Sequence, residues 1–259
     1  LKLKTWRITS VSKPDVTLCV PSKEDAFSLH LLLSSFRRYY GNAAEIVVYD
    51  DYESRDSLDA LHDTEKEHDV KAIHHGTGKT AGFVEVWRWF LEVAETEFLL
   101  CCEDDWRWLK PGFLDVAIPA LREWVEVGQV VPLYAYRNDG KKGHMDTLME
   151  WNRAHGYFTS YYRWLGKQPY LFNAPAGNRY VNKWGLWVQA ACDLSRRADW
   201  ERLLPEDEIG WGWNFEPEMG RRFTEAGFRT CFPLPDYSPC STNWAEEFTT
   251  GKTKWKERS

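Results

Sequence analysis

Phe98-Leu99-Leu100-Cys101-Cys102-Glu103-Asp104-Asp105-Trp106 decides how this chain is read. Five apolar residues run straight into three carboxylates. An apolar run of that length ahead of an acidic cluster predicts a buried strand that ends at a site. Burying adjacent carboxylates is costly unless a cation meets them. Mg²⁺ or Mn²⁺ takes oxygen ligands and shares them with phosphates, so a divalent metal is one reading. A solvated acidic turn is the other.

Working outward, the residues upstream alternate between two periodicities. Asp15 to Val20 reads as a strand closed by Pro21-Ser22. Residues 24–40 carry apolar side chains at 27, 29, 32, 33, 36 and 40, a helical period stopped by Gly41-Asn42. Glu45 to Tyr49 is a second strand ending at Asp50-Asp51, and 54–67 is helical. Asp69 to Ile73 is a third strand, followed by His74-His75-Gly76-Thr77-Gly78-Lys79 and a helix over 79–95. Strand and helix joined by short links predict parallel strands with helical crossovers, an α/β, Rossmann-like sheet with helices on both faces. Ligands in such sheets sit at the carboxyl ends of the strands. Those ends here carry Pro21-Ser22, Asp50-Asp51, His74-His75 and Glu103-Asp104-Asp105. No GxGxxG follows the first strand and no GxxxxGK(S/T) occurs, which argues against a dinucleotide-dependent dehydrogenase and a P-loop NTPase.

Downstream the pattern loosens. The reading is a helix from Phe113 to Val127, a strand over 129–136 and few clear elements over 137–183. A strand over 183–190 and a helix over 193–204 with Asp193 as N-cap follow. Then come an acidic, Trp-rich piece over 206–218, a helix over 218–226 stopped by Gly227, a strand over 228–232 and a loop-like tail. The expected organisation is one domain over 1–259: a first half over about 15–136, a basic aromatic insertion over 137–184, and a second half with its tail over 185–259.

Composition adds limits. The 259 residues carry a net charge of −6 and contain no membrane-length apolar run. The first residues lack the apolar core of a signal peptide. Six cysteines without a CxxC pair suggest reduced thiols, and together these features predict a cytoplasmic protein. Fifteen tryptophans suit either stacking on sugars and bases or plain core. Residues 137–184 hold eight Lys and Arg against three acids, leaving that stretch at +5 and the rest at −11. Basic residues interleaved with aromatics fit a polyanion with stackable rings, a lid over a diphosphate, or a solvated face.

The order of these features resembles the family 2-like glycosyltransferases of the GT-A fold, over residues 15–105 and 183–232. The resemblance implies that Pro21, Ser22, Asp50 and Asp51 meet the donor nucleotide. It implies that Glu103-Asp104-Asp105 stands for the family's DxD motif, with Asp105 and Glu103 as ligands of Mn²⁺ or Mg²⁺ and Asp104 facing the donor sugar or ribose. Glu103 replaces the family's first Asp. Counting back from Arg222 puts Glu216 at the catalytic carboxylate and Glu218 two further on, while Phe215 stands where the family has an acid.

The chemistry of these residue types suits that assignment. A carboxylate takes the proton of an acceptor hydroxyl in an inverting transfer, the role expected of Glu216. An acid satisfying the helix dipole is the plainer alternative there, and the Glu206-Asp207-Glu208 cluster could serve instead. Asp50 and Asp51 can accept from a base N–H or ribose hydroxyls, or close an Asx turn. Lys79 suits a phosphate or sugar contact, or a solvated helix start. Trp211 and Trp213 suit acceptor stacking, or core. The expected activity is transfer from a nucleotide-diphosphate sugar, a UDP-sugar, to a hydroxyl on a glycan or small molecule, with inversion. A hydroxylated base in DNA is the alternative acceptor, and a non-catalytic carbohydrate-binding module is the alternative outside enzymes.

Overall fold

The computed structural model describes residues 14–23, 25–51, 55–75, 81–132, 158–175, 192–209, 215–233 and 239–241. The alternating periodicities of the first half become β1 (Val16–Ser22), α1 (Ala26–Tyr40), β2 (Ala44–Asp50), α2 (Arg55–His68), β3 (Ala72–His75), α3 (Phe83–Val93) and β4 (Phe98–Cys102). β1 and β4 are buried almost throughout because helices cover both faces, which is why they read as continuous apolar runs. Asp25 starts α1 by accepting from the Ser28 N–H at 3.1 Å, and Gly41 ends it at φ 55°, where a side chain would be strained.

The second half supplies β5 (Trp106–Trp108), α4 (Phe113–Glu123), β6 (Val127–Val130), β7 (Phe158–Leu165), β8 (Gln168–Pro175), β9 (Cys192–Arg196), α5 (Arg197–Leu203), α6 (Phe215–Glu225), β10 (Arg229–Pro233) and β11 (Pro239–Ser241). Nine strands form one sheet in the order β3-β2-β1-β4-β9-β6-β10-β8-β7, and β5 pairs with β11. Strands β3, β2, β1 and β4 run parallel, as do β6 and β10. β9 runs antiparallel to both β4 and β6, and the β7–β8 hairpin is antiparallel at the far edge. The fold class is therefore α/β with helices on both faces, as the first half predicts; the expected parallel pairing holds through β3-β2-β1-β4, and antiparallel β9 makes the whole sheet mixed.

Three expectations change. Asp193 is no N-cap: it lies inside β9, fully buried, and Gln129 donates to its Oδ2 at 3.0 Å. Pairing with β4 and β6 decides that stretch over local capping preference. Residues 158–175 form a hairpin rather than irregular chain, turning at Gly166 with φ 59°. Part of the tail is strand β11. The strand expected over 183–190 lies outside the described residues.

The sheet separates two cores. Leu18, Val20, Ile46, Val48, Leu100 and Cys102 face α1, α2 and α4. Cys19, Val47, Leu99 and Cys101 face α3, α5 and α6. Trp87, Trp106, Trp108, Trp124 and Trp200 are all buried, so these five tryptophans are core. Among the described residues, Cys19, Cys101, Cys102, Cys192 and Cys231 are buried and form no disulfide, and burial pushes the Cys19, Cys101 and Cys102 thiols well up. No described helix is long and apolar enough to cross a membrane.

Candidate active site

Parallel pairing aligns the ends of β1, β2 and β4, and so brings the loops leaving these strands to one edge. Ser22 sits opposite Asp50 in the β1–β2 register, and the Asp51 N–H donates to the Ser22 carbonyl at 3.1 Å. After β4, the Trp106 N–H donates to the Glu103 carbonyl at 3.2 Å, closing a turn that presents the three acids. The result is a cleft of ≈ 350 Å³. Its walls include Pro21, Ser22, Lys23 and Asp25 from β1 and its exit, Tyr49 and Asp51 from β2 and its exit, and Glu103, Asp104 and Asp105. Ala81, Phe83 and Val86 close it from the start of α3.

The polar groups in this cleft are positioned by one another. The Ser22 hydroxyl donates to Asp104 Oδ2 at 2.8 Å. Asp51 Oδ2 accepts from the Ala81 N–H at 2.9 Å, fastening the end of β2 to the approach to α3. Its other oxygen, Oδ1, is buried with no hydrogen-bond partner among the described residues. Burial pushes the Asp104 carboxyl up to about 7; the Ser22 hydroxyl opposes this, while Asp105 and Asp25 add to it. The cleft thus concentrates negative charge. Tyr49 is pushed up to about 12 by burial, with Glu85 and Asp51 adding, and its ring stacks on His74 at 4.2 Å.

Of the sequence-predicted residues, Pro21, Ser22, Asp51, Glu103, Asp104 and Asp105 come together here. Asp50 is buried at the end of β2 and is not in the wall. Lys79, Trp211 and Trp213 lie outside the described residues, as does the side chain of Glu216. Glu216 nevertheless belongs to the first turn of α6. Its neighbour Phe215 is fully buried and stacks on Phe83 of the cleft wall at 5.4 Å and 20°. The base candidate is therefore one residue away from a ring in contact with the cleft wall. Glu218 accepts from Arg221 at 2.7 and 2.8 Å and from Arg222 at 2.8 Å. Hydrogen bonding from Arg221 leads in holding it at about 2, burial opposes, and Arg222 adds.

Sequence reading did not foresee Lys23, Asp25, Tyr49, Ala81, Phe83 or Val86 as wall residues, nor the capping contact of Glu208. α3 begins on Gly82 with no side-chain cap of its own. Glu208 supplies one: its Oε1 accepts from the Glu85 N–H at 2.7 Å. A Cβ at position 82 would overlap that carboxylate, so the glycine lets it in. The one local hint was a helix start lacking Ser, Thr, Asp or Asn.

No protein-family model and no curated protein matches this sequence. Solved structures do. The mannosyltransferase PcManGT from Pyrobaculum calidifontis, in complex with GDP-Man and Mn²⁺, superposes with a TM-score of 0.61 at 16% identity, over 89% of this chain and 57% of that one. S. aureus TarS in complex with UDP-GlcNAc gives 0.54 at 15%, over 84% and 55%. The TarS 1–349 structure gives 0.52 at 14%, over 84% and 57%. The chain has the GT-A fold. It spans a little over half the length of these GT-A chains. In a GT-A sheet as in other open α/β sheets, the carboxyl ends of the parallel strands are the ligand edge, and that is where this chain gathers its acids.

Proposed function

We propose that this chain is a metal-dependent glycosyltransferase that moves a sugar from a UDP-sugar to a hydroxyl with inversion. The observation that carries this reading is the convergence of Asp51, Glu103, Asp104 and Asp105 on one cleft at the ends of β1, β2 and β4. The GT-A neighbours add support, since one binds GDP-Man with Mn²⁺ and another UDP-GlcNAc.

The cleft fits a hard divalent cation. Its donors are carboxylate oxygens, and the raised pKa of Asp104 reflects burial beside other acids, an environment that a cation relieves. Among the described residues no three cleft acids bring ligand atoms within 4.8 Å of one another. Two carboxylates suffice for Mg²⁺ or Mn²⁺ when substrate phosphates and water complete the shell. Asp105 and Glu103 are the ligands in this reading. Bound there, the metal would offset charge growing on the departing diphosphate.

The chain's own residues do the rest. Asp51, oriented by the Ala81 N–H, offers its second oxygen to a base N–H or ribose hydroxyl. Asp104, held by Ser22, faces the sugar or ribose, and Lys79 meets a phosphate or the sugar. Glu216 takes the proton of the acceptor hydroxyl as that oxygen attacks the anomeric carbon. The bond from that carbon to the diphosphate oxygen breaks, and UDP leaves. Glu218 is engaged by two arginines, so its part is to hold the helix start rather than to take the proton. Trp211 and Trp213 stack on the acceptor.

Incubation with a panel of UDP- and GDP-sugars and Mn²⁺ tests this by release of free nucleotide. Asp105→Ala abolishes release, and Glu216→Gln keeps donor binding but stops transfer. Full transfer by Glu216→Gln removes it as base. No release from any donor leaves the carbohydrate-binding reading standing instead.

A further inference from the structure

A second cluster of ligating side chains lies apart from the donor cleft. His30 is on the second turn of α1, and Glu67 and His68 end α2. His30 Nδ1 is 3.1 Å from His68 Nε2 and 3.5 Å from Glu67 Oε2. All three ligand atoms lie within 4.8 Å of one another, and among the described residues no other such group occurs. With metal–nitrogen bonds of about 2.0–2.1 Å, the edge of a tetrahedral zinc site is about 3.3 Å. The two measured edges fall on either side of that value.

We propose that His30, Glu67 and His68 bind Zn²⁺ and thereby clamp α1 to α2. Two imidazoles and a carboxylate, with the fourth position left to water, are a donor set that zinc takes and that suits it better than Mg²⁺ or Mn²⁺. The surroundings favour ligation. Ser34 Oγ lies 3.3 Å from Nε2 of His30, so the ring's other nitrogen has a polar partner of the kind metal-bound imidazoles have, and 3.5 Å from Nε2 of His68. Arg37 donates to the His68 carbonyl at 3.0 and 2.7 Å, pinning the end of α2 on α1 without any metal. Arg37 is a cation close to the cluster, and its N–H groups are directed at carbonyls and at Asn42. Glu67 is 62% exposed and His30 36%, which leaves an entry route and room for the water.

The competing account is a plain hydrogen bond between the two rings, with Glu67 beside them. Titration calorimetry of the metal-stripped full chain with ZnCl₂ separates the two. Expected is one Zn²⁺ per chain at micromolar or tighter affinity, retained in Asp105→Asn, and weakened at least about tenfold in His30→Gln and in Glu67→Gln. Zn²⁺ also raises the melting temperature of the parent chain but not of His30→Gln. Glu67 is a surface carboxylate, so its variant stays informative if His30→Gln fails to fold. No stoichiometric Zn²⁺ binding by the parent chain, or equal binding by parent and variants, overturns the site. Nucleotide release from sugar donors is a separate readout, so this site and the transferase reading fail independently.

Discussion

Replacing Phe215 by aspartate, the kind of residue the resembling family carries at that position, is expected to unfold the protein. Phe215 is fully buried. It belongs to a set of near-parallel rings: Phe83 at 5.4 Å, Trp200 at 6.5 Å, and Trp87 stacked on Trp200 at 3.5 Å. Truncating a buried Phe costs about 3–5 kcal/mol. A carboxylate there adds a buried charge, worth several kcal/mol more or a protonated acid at neutral pH. Against a total stability of about 5–15 kcal/mol for a typical domain, Phe215→Asp leaves little or nothing. Phe215→Leu keeps an apolar side chain and costs about 1 kcal/mol. Phe215→Ala falls between, and it also loosens Phe83, so its donor KM rises more than that of Phe215→Leu. Urea denaturation followed by Trp fluorescence gives the stabilities, and nucleotide release gives the kinetics. A Phe215→Asp variant as stable as the parent would show that this position is not core and that these ring contacts are misassigned.

Three other outcomes rest on the same geometry. Glu208→Ala removes the cap of α3 and lowers stability by about 1 kcal/mol in urea unfolding, while Glu208→Gln, which keeps an acceptor, loses less. Glu218 is held at about 2, below its ordinary 4.5, so its ion pairs stabilise the fold above 4.5 and that contribution is lost as pH falls toward 2. The stability gap between parent and Glu218→Gln therefore narrows across that window in acid titrations. If a base in DNA is the acceptor, duplex binding weakens steeply with salt, and an absence of binding at low salt removes that acceptor.

How much of the site was legible depended on whether local or distant groups decide each residue. The strand Phe98–Cys102 and its acidic end were legible because both faces of the strand are covered, so its whole run is apolar. Asp50 and Asp51 were not distinguishable in sequence. The first ends β2 and is buried, while the second leaves the strand and reaches Ala81. Within the basic aromatic stretch, three of the described side chains have structural partners that sequence could not show. Arg163 lies over the Trp124 ring at 4.7 Å and pairs with Glu126. Tyr170 is buried and donates to the Val116 carbonyl at 2.8 Å, and Phe172 is buried beside them. Three side chains that looked like a polyanion footprint thus dock the β7–β8 hairpin onto α4 and its exit.

Glu208 ties two distant stretches of the chain together at one cleft wall. Its hydrogen bond to the start of α3 spans 123 residues, so no local pattern could announce it. Arg88 of α3 fixes the same loop by donating to the Glu206 carbonyl at 2.8 Å. The loop that precedes Trp211, Trp213 and Glu216 in sequence is therefore fastened to the helix that forms one wall of the acidic cleft. Phe215 makes the second fastening, on Phe83 of that same helix start. A base must stand within hydrogen-bond reach of the hydroxyl it deprotonates, and small displacements cost large factors in rate. Two tethers converging on the first turn of α3 are what such placement requires: they tie the start of α6 to the wall against which the donor would lie.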